Sequence, residues 1–324
     1  MDFHLDDDQQ ALQETVSQFC ESRWPIDGLA ERPRDAFDRS AWEELVELGL
    51  PGLLAAETSG GLALGCVEAA IAFEQLGRHL VPGPLLWSVL ASLLVPEVAR
   101  GELVATGIDA RTQAPYFVEH LRPADLLLVL REDGVTVAEA GIDARPIEEP
   151  FDPLTPMDSL SRLPDGRVVG DRDEAERLSR VGTLLASSLQ LGAAQTSLDV
   201  AVGYALEREQ FGVPIGSFQA LKHIMADMYV RVGLARSATY AAAAVLDDPA
   251  VGHLDRSLAG AKLLAGEAAV DNGKAAVQVL GGMGFTWEMA PHFFMKRALA
   301  LDYAFGTPDG HALAISESLA REAS

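Results

Sequence analysis

Apolar residues recur every three to four positions from Leu5 to about Leu94, the spacing of helices that bury one face. Leu12, Val16 and Phe19 fall at i, i+4 and i+7, and Trp42, Leu45 and Val46 repeat the pattern on a second helix. Asp38 or Ser40 is placed to cap that second helix. After the Gly-rich, Pro-broken stretch "LGLPGLLAAETSGGLALG" comes a third helix, "CVEAAIAFEQLGRHL", which stops before "VPGP". The period changes between 101 and about 170. "ELVATGI", "PYFVEH", "ADLLLVL" and "GVTVAEA" are short branched runs cut by Gly, Pro, Asp and Arg, which is a strand pattern, and "REDG" predicts a hairpin turn. Prolines crowd 146–164 and predict irregular, edge-like backbone there. From Asp171 onward the helical period returns. "ERLSRVGTLLASSLQLGAAQTSLDVAVGYALER" is rich in Ala, Gly and Ser and predicts a long central helix of a bundle. A helix opened by Ser217 then carries Phe218, Leu221, Met225, Met228, Val232 and Ala235 on one stripe. "AGAKLLAGEAAVDNGKAAVQVL" and "PHFFMKRALALDYAF" complete a bundle of four or five helices.

Composition sharpens this picture. The 324 residues are 48% hydrophobic, enough for a large folded core. The net charge of −23 repels nucleic acid and anionic membranes, so neither is expected as a partner. Cys20 and Cys66 have no metal-type spacing, the start "MDFHLDDDQQ" is the opposite of a signal peptide, and no long apolar span occurs. A reduced, cytoplasmic setting is the expectation.

Two stretches could carry chemistry. In "EREQFGVPIGSFQ", Arg208 follows a helix end and precedes a tight loop, where its fork could take an anion in two parallel hydrogen bonds. A solvated arginine at a helix C-terminus is the plainer alternative. "QVLGGMGF" puts three glycines in four residues after a helix, open to close approach of a ligand or simply ending the helix. It is not the glycine fingerprint of a dinucleotide-binding βαβ unit.

The order of the stretches adds what neither carries alone. "EREQFGVPIGSFQALKHIMADM", then "QVLGGMGF", then "KRALALDYAFG" resembles the C-terminal half of the acyl-CoA dehydrogenase family. "WEELVELGLPGLLAAETSGGLALGCVEAAIAFEQLGRHLVPGPLL" is similar to its first helical domain, and "ADLLLVL" to a strand of its middle domain. The resemblance implies a mostly α fold with a small β-domain: an N-terminal helical domain over 1–100, a shortened middle β-sheet domain over 101–170 and a C-terminal helical bundle over 171–324. It implies FAD as cofactor, lying between middle sheet and bundle, its ADP half gripped by a neighbouring subunit. Arg208, Gln210, Phe211, Gln278, Gly281 and Gly282 are the matching grip positions. Elements that face the flavin ring are missing, since no Gly-Ser-Asp occurs and no tryptophan lies between 88 and 286.

The family's catalytic base is a glutamate followed by Gly-Thr. Phe305, before Gly306 and Thr307, holds that place here. The alternative position, on the long central helix, is Gly182, with Thr183 where an arginine is usual. Neither Phe305 nor Gly182 takes a proton, so no catalytic residue is assigned. Three readings stay open. The chain is a subunit of a heteromeric acyl-CoA dehydrogenase, resembling the short subunits of actinobacterial sterol side-chain catabolism. A paralogous partner then supplies the base in a heterotetramer, the substrate is an acyl-CoA such as a bulky steroid side-chain thioester, and an electron-transfer flavoprotein takes the electrons. Alternatively it is self-sufficient with a displaced base, Asp302 or Asp309, although solvent-facing carboxylates are the plainer expectation for both. Or it is a scaffold that has lost flavin.

Overall fold

A computed structural model describes residues 5–32, 37–111, 115–139 and 141–322. The first four residues of the acidic start, and the Ala140 that ends the last expected strand, lie outside the described residues. The chain divides into two compact units that are not consecutive in sequence. One, mostly helical, takes residues up to Arg32, Ala70–Val81 and Thr183 onward; the other, of mixed structure, takes Pro33–Ala69 and Pro82–Gly182.

In chain order the helices are α1 (Asp7–Arg23), α2 (Arg39–Glu47), α3 (Cys66–Arg78), α4 (Leu85–Ser92), α5 (Pro96–Ala99), α6 (Arg172–Glu207), α7 (Gln219–Asp247), α8 (Leu254–Leu280), α9 (Pro291–Leu301) and α10 (Pro308–Glu322). Asp6 and Gln9 close a capping box on α1, and Asp38 caps α2 by accepting from the Ala41 N–H at 3.2 Å. α4 has no amphipathic period because all eight of its residues are buried, which is why the pattern alone did not single it out.

The mixed unit holds two sheets. The strands β1 (Ala105–Asp109), β3 (Leu126–Leu130), β4 (Val135–Glu139) and β7 (Arg167–Gly170) form one in the order β1-β3-β4-β7; β2 (Tyr116–Glu119), β6 (Met157–Leu160) and β5 (Arg145–Pro146) form the other in the order β2-β6-β5. "REDG" is the β3–β4 hairpin turn, closed by the Arg131 N–H on the Gly134 carbonyl at 2.9 Å. The proline-dense stretch is not irregular throughout. Pro146 sits on the outermost strand, where a missing N–H costs no ladder bond, and β6 itself is proline-free. Ile108, Val118, Leu127, Val129 and Leu160 form this unit's sheet core.

In the helical unit the small residues let backbones touch. A Cβ on Gly77 of α3 would collide with the Leu189 carbonyl of α6, and one on Gly192 with the Glu74 carbonyl. The buried serines of α6 satisfy their hydroxyls on carbonyls four residues back, Ser187 on Thr183 at 2.8 Å and Ser188 on Leu184 at 2.9 Å. Glu74, buried, accepts from both Arg236 and the Tyr240 hydroxyl of α7, each at 2.7 Å. Asn272 of α8 donates to Ala194 of α6 and Met228 of α7, fixing the register of three helices.

Two expectations need correction. Ser217 does not open α7; Ile215–Ser217 form a 3₁₀ turn and Phe218 stands at the cap position without a side-chain cap bond. The α7 stripe is fully buried only from Met228 onward, at Met228, Val232 and Ala235; among the helix's first nine residues Leu221 and Met225 of the stripe are half-buried and none is fully buried. The helix α10 was not anticipated and has no buried residue either.

Candidate functional site

The backbone N–H of Arg208 bonds back to Tyr204 at 2.9 Å and ends α6. A two-strand hairpin follows, β8 (Glu209–Gln210) against β9 (Val213–Pro214), with Phe211 and Gly212 as its two turn residues. Both have positive φ, 56° and 79°, the geometry of a type I′ turn. Glycine takes this readily, whereas a phenylalanine pays roughly 1–2 kcal/mol. Its ring is 94% exposed, with one edge-on neighbour, Phe218, at 6.2 Å. Gln210 folds its amide back to the Glu209 carbonyl at 2.8 Å. Arg208 is exposed, and among the described residues no hydrogen bond or ion pair engages its guanidinium.

α7 and α8 run antiparallel with Asn272 against Met228, a register that sets the start of α7 beside the end of α8. Gln278 is exposed on the last turn of α8, and Gly281 ends it at φ 61°, ψ −138°, a conformation reserved for glycine. A Cβ on Gly281 or Gly282 would meet nothing within 4 Å, so the main chain there is bare; one on Gly284 would press on the Val277 carbonyl. The fold thus brings all six expected grip positions to one end of the bundle, where α6 and α8 stop and α7 begins. An apolar rim, Met283, Phe285 and Trp287, stands exposed beside the glycines. Lys296 lies 5.3 Å over the Trp287 ring, and burial together with that ammonium pushes the His292 imidazole below its usual pKa. Sequence reading passed over this rim; three large apolar residues around a glycine turn were the available signal.

The loop between α9 and α10 carries the other positions. Phe305 is buried, 6% exposed, again at positive φ (57°) and again followed by a positive-φ glycine, Gly306 at 120°. Gly182 lies buried within α6. Asp309 is exposed in the first turn of α10. Asp302 differs from expectation: it is half-buried rather than solvent-facing, its carboxylate 3.4 Å from the Gln190 amide and packed where a Cβ on Gly266 would stand. The absent side chain of Gly266 makes room for it. Among the described residues no cluster of His, Cys, Asp and Glu could hold a metal ion, and no helix is long and apolar enough to cross a membrane.

The acyl-CoA dehydrogenase N-terminal domain model matches residues 6–101, and the acyl-CoA dehydrogenase C-terminal domain model matches 178–320. The acyl-CoA dehydrogenase IpdE2 of Mycolicibacterium smegmatis is 33% identical over 316 residues, covering 94% of this chain and 96% of its own. The chain belongs to the acyl-CoA dehydrogenase family. It is therefore an oxidoreductase acting on acyl-CoA, in a family whose cofactor is FAD. The isovaleryl-CoA dehydrogenase of Oryza sativa is 25% identical across 384 aligned positions, covering 98% of this chain and 92% of that enzyme. Dozens of those positions face gaps, whereas IpdE2 matches nearly end to end, so this acyl-CoA dehydrogenase is of a short form that IpdE2 shares. Among solved structures, a chain of the ChsE4–ChsE5 complex from Mycobacterium tuberculosis superposes with a TM-score of 0.84 at 26% identity, covering 99% of each chain.

Proposed function

We propose that this chain is one subunit of a heteromeric, FAD-dependent acyl-CoA dehydrogenase. The reaction desaturates an acyl-CoA thioester between its α and β carbons, and a paralogous subunit supplies the proton acceptor. The observation that carries the reading is Phe305: a buried phenylalanine holds the place that the sequence resemblance gives to the family's glutamate, and a phenyl ring takes no proton. The nearest carboxylate in sequence, Asp302, is turned into the bundle against Gln190 and Gly266.

The residues present suit the nucleotide half of FAD. An unengaged guanidinium at Arg208 and the bare main chain at Gly281–Gly282 fit a pyrophosphate, Gln210 and Gln278 offer amides, and Phe211 offers an exposed ring face. With its nucleotide half held there, FAD would supply the hydride acceptor. Arg208 fixes the anion, the glycines admit it, and this chain's own contribution to proton transfer is none.

The chain also leaves apolar side chains uncovered, among them Tyr229, Val230 and Leu234 on α7 and Leu313 and Leu319 on α10, as a subunit awaiting its partner does. A solved relative, the ChsE4–ChsE5 complex, is itself an assembly of two named chains. By the same reading the acyl group is a bulky steroid side-chain thioester and an electron-transfer flavoprotein receives the electrons. The deciding experiment is expression alone against co-expression with an acyl-CoA dehydrogenase chain encoded beside it. A yellow complex that reduces electron-transfer flavoprotein with acyl-CoA, beside a colourless lone chain, supports the reading. A lone chain that is yellow and active ends it.

A further inference from the structure

Left-handed backbone at a bulky residue persists only where its surroundings over-determine it. Phe305 is such a residue, and three helices hold its loop. From α8, Lys262 is 2% exposed and donates to the carbonyls of Leu301 at 2.9 Å and of the cap residue Asp302 at 3.3 Å, where α9 ends; the Leu301 carbonyl also accepts from the Ala304 N–H at 3.1 Å. A cation at a helix C-terminus also complements the dipole. From α6, the buried Gln190 amide donates to the Ala298 carbonyl at 3.3 Å and to the Asp302 carboxylate at 3.4 Å. From α10, one ring nitrogen of His311 bonds the Phe305 backbone, while the ring's Nε2 sits where a Cβ on Gly306 would stand. Lys262 and Gly266 lie one turn apart on α8, the first binding the backbone of residue 302 and the second making space for its side chain.

We propose that Lys262 is the positioning residue of the 302–307 loop, holding residue 305 in its left-handed conformation with Gln190 and His311 as auxiliary clamps. The loop's place in the acyl-CoA site rests on the reading of Phe305 given above; the clamp does not.

Amide hydrogen exchange on the full chain, without flavin or substrate, tests the clamp apart from that reading. In Lys262→Met, exchange across 302–307 rises at least tenfold while the centres of α6, α7 and α8 keep their protection. Lys262→Arg, which retains a charged donor, keeps exchange at 302–307 close to that of the unmodified chain. His311→Ala alters α10, none of whose residues is fully buried, and is the second variant should the lysine variant fail to fold; it raises exchange at 305–307 alone. Unchanged exchange at 302–307 in both Lys262→Met and His311→Ala overturns the proposal. So does a rise spread evenly through the bundle, or an arginine variant as loose as the methionine one.

Discussion

Phe211 and Phe305 share an unusual local grammar: a phenylalanine at positive φ followed by a positive-φ glycine, one ring in solvent and the other buried. Strain of this kind is kept where something other than stability is selected. At residue 211 that is testable directly. Phe211→Asn suits the type I′ turn better and should stabilise the chain by about 0.5–1 kcal/mol, read as a raised denaturation midpoint. The same change should make the assembled enzyme lose flavin more readily on gel filtration. Lys262 gives a second prediction, with a sign. Burial lowers its pKa to about 8 from 10.5, only partly opposed by Asp302. Between those values the unfolded chain binds the proton more tightly than the folded one, so Lys262's contribution to stability increases with pH from about 8 to 10.5. Comparing unfolding at pH 7.5 and 9.5, the unmodified chain should gain up to about 2 kcal/mol relative to Lys262→Met. A difference of the opposite sign would refute the lysine's low pKa.

At the scale of elements, the amphipathic helices and alternating strands were legible because periodicity reports burial. α1, α2, α3 and β1–β4 follow the pattern of their apolar residues, and Asp38 caps where a short polar residue should. The failures have physical causes. α4 is buried all round and so has no period, and β6 hides between prolines that flank it rather than interrupt it. α7's first half carries apolar residues that one chain does not cover, so an apolar stripe did not mean a buried one. In the candidate site, motif order located the Arg208 hairpin and the Gly281–Gly282 turn. Lys262 and His311 escaped notice because a lone lysine in an Ala-rich helix and a lone histidine on a surface helix have no pattern, and only the fold reveals what they touch. The small residues at the α3–α6 contact make the firmest element-level forecast. Gly192→Ala inserts a methyl against the Glu74 carbonyl and should cost about 1–3 kcal/mol, lowering the melting temperature by several degrees.

For the whole molecule, uncovered side chains on α7 and α10 mean that the chain's stability is coupled to what covers them. The co-expressed complex should melt at a higher temperature than the lone chain, and its midpoint should climb with protein concentration, as scanning calorimetry across a hundredfold dilution series would register. A midpoint independent of concentration would mean that these faces stay bare. The charge of −23 makes contacts between two copies of this chain sensitive to ionic strength as well, since they repel at low salt.

The hairpin tip at Phe211 points its ring almost wholly into solvent, and among the described residues nothing lies within 4 Å of where a Cβ would stand on either glycine at the end of α8. Colour in this enzyme should then behave as a census of assembly. A dilute solution would bleach as protomers part, and concentrating it with added FAD would restore the yellow without any chemical repair.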